Sequence, residues 1–249
     1  MPDRLKLLAL LLLAAALCAF TRPAIQRELE MLNPTVLVDL PGSTGSGTVV
    51  HSGEGGTLIL TNHHVVGEAL ATVAGTQPIK VKFWIVDEAG NTVSAETQAA
   101  EIVAASKAKD LALLRLKQQS FRARAVALMA PPDAHLLAGE DVYLAGAGLG
   151  HRVFLTHGLL GVVEDEAYER PALLSSAPMV PGNSGGSLWH QREDGHFEMI
   201  GVPQAIDALP IPSPFARPLA ERVPTMGYAI PMRVVRLFLD QNGYEFVGR

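Results

Sequence analysis

Short apolar segments bounded by turn residues recur along this chain between residues 35 and 230, and they constrain the fold more than any other feature. Val, Ile, Leu and Thr dominate these segments, while many of the Gly and Pro residues lie between them. The pattern predicts many short strands joined by turns, without sustained helical heptads. The first series of predicted strands is Thr35–Leu40, Gly47–His51, Thr57–Thr61, Ile79–Val86, Thr97–Ala104 and Leu111–Leu116.

A second series follows a connection that contains Pro and Ala at residues 123–136. Its predicted strands are Val142–Gly146, Val153–Thr156, Gly161–Val163, Ala172–Ser175, Ser187–His190, Met199–Ala205 and Met226–Ile230. Apolar spacing after Pro231 then predicts a helix that ends near Asn242.

Two series of about six strands favour two small antiparallel barrels over an alternating β–α–β architecture. The predicted fold class is therefore all-β, with two six-stranded antiparallel β-barrels and a short C-terminal helix. We expect barrel 1 at residues 35–122, barrel 2 at residues 137–231 and the helix within residues 232–249.

One segment departs from this pattern. Residues 208–225 contain five prolines between two predicted strands. Proline cannot donate to a sheet ladder, so the segment is predicted to be a loop. It is either a rigid surface excursion or a lid that shapes a neighbouring pocket.

Composition excludes several classes of function. The net charge is -5 and no dense block of Lys or Arg occurs, so nucleic acid is not expected as a partner. The single cysteine, Cys18, lies in the N-terminal apolar segment. The rest of the chain therefore has no disulfide, no cysteine nucleophile and no thiolate metal site.

The N-terminus has the pattern of an export signal. Arg4 and Lys6 precede an uncharged run, Leu7–Phe20, that is short for a membrane span of about 20 residues. Residues 1–22 are predicted to be a signal or an uncleaved membrane anchor, and residues 23–34 a linker or short helix. We therefore expect a protein of the periplasm, the cell envelope or the extracellular space.

Pro181–Gly186 is the first segment that suggests chemistry. A serine nucleophile needs an exposed hydroxyl and nearby backbone N–H groups, and the glycines beside Ser184 permit such a tight backbone. The predicted oxyanion-binding segment is Gly182, Asn183 and Ser184, with the N–H groups of Gly182 and Ser184 as donors. Taken alone, the segment could equally be an ordinary glycine-rich turn.

Two further segments supply groups that could activate a serine. Thr61–Val66 contains His63 and His64 directly after a predicted strand, and an imidazole is the usual base for a serine hydroxyl. Asp110 lies at the entrance of the strand Leu111–Leu116, where a carboxylate could orient that imidazole. Metal binding is disfavoured, because consecutive histidines do not share a face and no nearby acidic or thiol set completes a site.

Five motifs in this order resemble the trypsin-like serine proteases, and the HtrA/Deg branch in particular. They are GSG at Gly45–Gly47, TNHHVV at Thr61–Val66, DLALLRL at Asp110–Leu116, PGNSGGSL at Pro181–Leu188 and GYAIP at Gly227–Pro231. The resemblance implies a chymotrypsin-like fold and a serine endopeptidase that needs no cofactor and binds polypeptide substrates. It also implies a triad of His64, Asp110 and Ser184, with His64 as the base because the family reads T-N-x-H-V.

Two departures from the family pattern modify this expectation. Residues 232–249 are too few for a PDZ domain, so we expect none in this chain. The residues that the resemblance places at the primary pocket include no acid, which disfavours a Lys or Arg residue before the scissile bond and favours a small or apolar one. These pocket residues are Pro178, Met179, Val180, Val202, Pro203 and Gln204.

Two alternative functions stay open at this point. One is a catalytically idle scaffold that keeps the protease fold to bind peptides. The other is ester hydrolysis, although the chain lacks the Ser–Asp–His order and the G-x-S-x-G elbow of the α/β-hydrolases. The sequence leaves the oligomeric state open.

Overall fold

The computed structural model of the protein describes residues 28–71, 78–86, 92–167, 170–211 and 219–248. The predicted export signal lies outside these residues, as do residues 23–27 of the predicted linker. Within the described chain, the strands form two closed six-stranded antiparallel barrels, so the predicted all-β fold class is confirmed.

Barrel 1 has the strand order β1–β2–β3–β6–β5–β4. A helix, α1 (His63–Ala71), follows its third strand. The strands are β1 (Thr35–Leu40), β2 (Ser43–Gly53), β3 (Gly56–Thr61), β4 (Ile79–Val86), β5 (Thr92–Ser106) and β6 (Leu111–Leu116).

Barrel 2 repeats this arrangement with the order β10–β11–β12–β9–β8–β7. The C-terminal helix α2 (Met232–Gln241) follows it directly and buries Val235, Phe238 and Leu239. The strands are β7 (Asp141–Gly146), β8 (Phe154–Ala167), β9 (Arg170–Ser175), β10 (Ser187–Gln191), β11 (Phe197–Ile211) and β12 (Leu219–Pro231). None of the helices in the described residues is long and apolar enough to cross a membrane.

Strands β3 and β6 are buried on both faces, which explains why they are almost continuously apolar. Ile59 and Leu114 point into the core of barrel 1, whereas Leu58, Leu60 and Leu113 belong to the cluster that also forms the core of barrel 2. Alternate side chains of a strand point to opposite faces. Both strands therefore lie between the interior of their own barrel and the layer that joins the two barrels.

A chain of buried polar groups also joins the barrels. The indole N–H of Trp189, in β10, donates to the hydroxyl of Ser187 at 2.7 Å. That hydroxyl lies 3.2 Å from the hydroxyl of Thr35 in β1, which in turn donates to the carbonyl of Met31 at 2.7 Å. Hydrogen bonding satisfies these polar groups in an interface that is otherwise apolar.

The prediction of a loop over residues 208–225 is wrong at both ends. Strand β11 continues to Ile211 and β12 begins at Leu219, and Pro210 pairs with Ala220. In the described part of the chain, residues 208–211 pair with β12 alone, so this part of the hairpin projects beyond the barrel. Each of its strands has one unpaired edge, and proline is compatible with such an edge because no ladder hydrogen bond is lost.

The segments Val153–Thr156 and Gly161–Val163 were predicted as two strands, but the structure has one strand, β8, which begins at Phe154 and includes the rest of both segments. Gly158 lies between them. In the structure a Cβ atom at this position would lie 2.2 Å from the backbone nitrogen of Ala177. The glycine therefore permits a close approach of two backbones and does not end the strand.

Candidate active site

The pairing of β3 with β6 brings His64 and Asp110 together. The two strands are antiparallel, and Thr61 at the end of β3 pairs with Ala112 near the start of β6. His64 follows β3 in the first turn of α1, and Asp110 immediately precedes β6. Residues that are 46 positions apart in sequence thus become neighbours at one end of barrel 1.

Asp110 is held by hydrogen bonds on both its side chain and its backbone. Its Oδ2 lies 2.9 Å from Nδ1 of His64, and its Oδ1 accepts the backbone N–H of His64 at 3.0 Å. Its carbonyl accepts hydrogen bonds from the side chain of Asn62 at 2.9 Å and from the N–H of His63 at 3.1 Å. Asp110 has a φ of 54°, a left-handed conformation that aspartate tolerates better than most residues.

This geometry leaves one nitrogen of His64 available to the cleft. A neutral imidazole that donates from Nδ1 to a carboxylate carries its lone pair on Nε2. The His64 side chain is 48% exposed, whereas that of Asp110 is 10% exposed. The arrangement can therefore present an oriented base to solvent while the carboxylate that orients it stays buried.

The serine loop, residues 176–186 between β9 and β10, is fixed against barrel 1. The backbone N–H of Ser46, in β2, donates to the carbonyl of Ser184 at 2.8 Å. A Cβ atom at Gly185, where φ is 83°, would lie 2.3 Å from the carbonyl oxygen of Ser46. The hydroxyl of Ser184 lies at the cleft and donates to the carbonyl of Gln204 at 3.4 Å.

The residues before Ser184 form a tight turn that orients one peptide group. The N–H of Asn183 donates to the carbonyl of Val180 at 3.1 Å, and Gly182 has a φ of 98°. The carbonyl of Pro181 accepts the N–H of Leu149 at 2.6 Å. Because C=O and N–H point in opposite directions in a trans peptide, the N–H of Gly182 points away from Leu149.

Gly182 and Ser184 both line the cleft. Among the hydrogen bonds of the described residues, none uses the backbone N–H of either residue. The turn can therefore offer two N–H groups to an oxygen atom bound beside Ser184. By contrast, the backbone N–H of Asn183 is used within the turn, and its side-chain oxygen accepts the N–H of Val180 at 2.8 Å.

Ser46 connects this turn to barrel 1. Its hydroxyl donates to the carbonyl of Gly182 at 2.6 Å and accepts the N–H of Ala147 at 2.7 Å. Its own carbonyl accepts the hydroxyl of Thr61 at 2.7 Å. Ser46 is completely buried. It thereby links the end of β3, the serine loop and the segment Ala147–Gly150, which contains Leu149 with a φ of 55°.

His64, Asp110 and Ser184 line one cleft of about 860 Å³. Of the residues predicted for the primary pocket, Val180 and Gln204 line this cleft, together with Ala205 and Ile206. Met179 and Val202 are buried in the core, and Pro203 accepts the N–H of Gly185 through its carbonyl. Pro178 is exposed and its carbonyl accepts the hydroxyl of Thr156.

The sequence analysis did not identify two cations in the cleft, Lys107 and Arg170. Lys107 lies three residues before Asp110, so its nearness in sequence to a predicted site residue was the one signal that could have indicated it. Arg170 begins β9, and its Nη1 lies 3.9 Å from Oδ2 of Asp110. Its position depends on how barrel 2 meets barrel 1, so no local motif indicates it. Among the described residues, no cluster of three or more His, Cys, Asp or Glu side chains could hold a metal ion.

Two six-stranded barrels that share one cleft define the chymotrypsin-like fold. The chain matches the model of a family described as a trypsin-like peptidase domain, over residues 45–202. This match covers more than half of the chain and includes His64, Asp110 and Ser184. The chain therefore belongs to the trypsin-like peptidase family.

Several solved proteases have a similar structure. The HtrA-type protease AlgW, solved with a tripeptide, has a TM-score of 0.63 and 20% identity over 90% of this chain. Deg5 has a TM-score of 0.62 and 24% identity, with 86% of this chain and 90% of that chain covered. The serine endoprotease from Yersinia pestis has a TM-score of 0.58 and 19% identity, with 91% and 68% covered.

These likenesses confirm the resemblance to HtrA/Deg proteases at the level of fold. The chain spans 64% of the length of AlgW. No curated protein sequence matches it significantly.

The environment of His63 predicts a pH dependence of stability. Burial lowers the pKa of His63 below its ordinary value of about 6.5; Asp110 raises it, whereas Lys107, His64 and Arg170 lower it. Below pH 6.5 the unfolded chain therefore binds more protons at this residue than the folded chain. The free energy of unfolding consequently decreases as the pH is lowered. We expect His63→Asn to lose less stability than the wild type between pH 7.5 and pH 5.5 in urea denaturation.

His135→Asn is the control, because His135 is exposed and does not line the cleft. An equal loss of stability in the wild type and His63→Asn would contradict this account of His63.

The hydrogen bonds of Ser46 predict that its hydroxyl supports the turn at Gly182. Ser46→Ala leaves the carbonyl of Gly182 and the N–H of Ala147 without this partner, at a cost of about 1–3 kcal/mol for each buried group left unsatisfied. We expect slower labelling of Ser184 by a fluorophosphonate probe at a temperature where the variant stays folded by circular dichroism. Ser52→Ala is the matched control, since Ser52 lies on the same strand and its hydroxyl bonds to Thr57 and Ala123. Equal labelling rates for both variants would exclude this role.

Proposed function

We propose that the protein is a serine endopeptidase that hydrolyses polypeptides through an acyl-enzyme intermediate. The observation that supports this most strongly is the 2.9 Å contact between His64 and Asp110 at the cleft that also contains Ser184. An oriented imidazole is what a serine hydroxyl requires, because at neutral pH the hydroxyl alone is a weak nucleophile.

In this mechanism the Ser184 oxygen attacks the carbonyl carbon of the scissile peptide while Nε2 of His64 takes the hydroxyl proton. Asp110 holds the imidazole through Nδ1 and stabilises the imidazolium that forms. The N–H groups of Gly182 and Ser184 stabilise the negative oxygen of the tetrahedral intermediate. His64 then protonates the leaving amine, and a water activated by the same imidazole hydrolyses the acyl-enzyme.

The free edge of β11 near Gln204 supports a polypeptide as the substrate. Ala205 and Ile206 follow Gln204 at the cleft, so an extended peptide could pair with this part of the strand while its carbonyl reaches Ser184. The neighbouring walls, Val180 and Pro181, carry no charge. They favour a small or apolar side chain before the scissile bond.

One observation favours a second candidate, an idle scaffold that binds peptides without cleaving them. Among the hydrogen bonds of the described residues, the hydroxyl of Ser184 donates to the carbonyl of Gln204 and not to His64. The hydrogen bond between a serine nucleophile and its histidine base is often long or misaligned in ligand-free enzymes, and it tightens when substrate binds. The endopeptidase is therefore the preferred function.

Labelling with a fluorophosphonate probe distinguishes the two candidates, because the probe reacts with an activated serine. We expect the wild type to be labelled, Ser184→Ala to give no label and His64→Ala to react roughly 10²- to 10⁴-fold more slowly, the range for general acid–base catalysis. Ser176→Ala is the matched control, since Ser176 is an exposed serine of the same loop. An unlabelled, folded wild type, or equal labelling of Ser184→Ala, would exclude the endopeptidase.

We further propose that residues 1–22 direct export, on the basis of the basic start and the apolar run Leu7–Phe20. In a bacterial host, the full chain with a C-terminal tag is expected outside the cytoplasm, and the same chain without residues 1–22 inside it. The measurement is cell fractionation followed by determination of the mature N-terminus, which also tells a cleaved signal from a retained anchor. Recovery of both forms in the cytoplasm would contradict the proposal.

A further inference from the structure

The cleft beside His64 is positively charged, although the protein as a whole has a net charge of -5. Among the described residues that line the cleft, the charged ones are Lys107, Arg170 and Asp110. Asp110 is only 7% exposed, and both of its oxygens bond to His64. In the described part of its lining, a molecule that enters the cleft therefore meets two cations and no accessible carboxylate.

Arg170 and Lys107 are in direct contact. Nη2 of Arg170 donates to the backbone carbonyl of Lys107 at 3.3 Å, which ties the start of β9 to the turn before Asp110. The Lys107 side chain is exposed, and no ion pair with a carboxylate involves it in the described part of the chain. Both positive charges also lower the pKa of His63, another residue that lines the cleft. Their electrostatic effect therefore reaches the cleft.

Arg170 is partly committed to the protein. Its Nη1 lies 3.9 Å from Oδ2 of Asp110, a distance that gives attraction without a close hydrogen bond. The side chain is nevertheless 31% exposed, and its remaining donors can reach a ligand in the cleft. Lys107 offers three further donors on a flexible stem. Together they give the cleft two cationic groups that can bind a carboxylate.

We propose that the cleft selects polypeptides with an Asp or Glu side chain within three residues of the scissile bond. This inference rests on the proposed peptidase function and adds the class of substrate. The residue at the scissile bond itself faces the uncharged walls formed by Val180, Pro181, Ala205 and Ile206. The acidic side chain therefore belongs to a neighbouring position, beside His64, where Lys107 and Arg170 lie.

The test compares peptides that differ only by Glu or Gln at one position, scanned over the three residues on each side of the scissile bond. For at least one position we expect kcat/KM to be higher with Glu than with Gln, by about two- to five-fold for each cation, as exposed ion pairs allow. The ratio should fall as salt is raised, because the charges are accessible to solvent.

Variants then assign the preference to the two cations. We expect Lys107→Gln to lower the Glu/Gln ratio, Lys107→Glu to reverse it, and Lys107→Gln combined with Arg170→Gln to bring it to one. The ratio is taken within each variant, so a change in overall rate caused by the contact of Arg170 with Asp110 cancels. Lys117→Glu is the control, because Lys117 is exposed and does not line the cleft, and it should keep the wild-type ratio.

Equal kcat/KM for Glu and Gln at every position in the wild type would overturn the proposal, as would a preference that survives in the double variant. Binding of labelled peptides to Ser184→Ala, measured by fluorescence anisotropy, separates this failure from failure of the proposed function. Tighter binding of Glu peptides by a protein whose wild type cleaves none would support the acid preference and exclude the peptidase. Equal binding of the Glu and Gln peptides would exclude the acid preference and leave the proposed peptidase function unaffected.

Discussion

The hydrogen bond from the N–H of Ser46 to the carbonyl of Ser184 is the contact on which the geometry of the site depends, because it fixes the serine loop of barrel 2 against barrel 1. Barrel 1 supplies His64 and Asp110, whose proximity follows from the register of β3 with β6. The hydroxyl and carbonyl of the same Ser46 reach Gly182, Ala147 and Thr61. The buried Ser46 thus couples the end of β3, Ser184 and the turn at Gly182. No disulfide is available to do so.

The charges of the cleft have opposing effects on the proposed chemistry. In the proposed mechanism the imidazolium of His64 has the same sign of charge as Lys107 and Arg170, and the opposite sign to the buried carboxylate of Asp110. Asp110 is in direct contact with the ring, so its effect is the larger one at short range. A carboxylate from the substrate would reduce the remaining repulsion. Binding an acidic side chain would then help the proton transfer as well as hold the peptide.

The parts of the fold and site that the sequence predicts are those that local patterns encode. Alternating and continuous apolar runs predict both barrels, and the segments around His64, Asp110 and Ser184 carry the residue types that activated serine chemistry requires. Lys107, Arg170, Ser46 and Leu149 were not identified, because their positions depend on contacts between segments that are distant in sequence. The prolines near residue 210 were misleading, and strand β8 was predicted as two strands, for a related reason. Proline is compatible with the free edge of a projecting hairpin, and Gly158 permits close packing against Ala177.

The division of the site between two barrels has a consequence for synthesis. His64 and Asp110 belong to the barrel that leaves the ribosome first, whereas Ser184 and its supporting turn come from residues made later. Domains of a growing chain generally fold in order from the N-terminus. A nascent chain that has completed only its first barrel holds a base and an acid without a nucleophile. For the proposed endopeptidase, this order of synthesis would delay activity until the second barrel has been made.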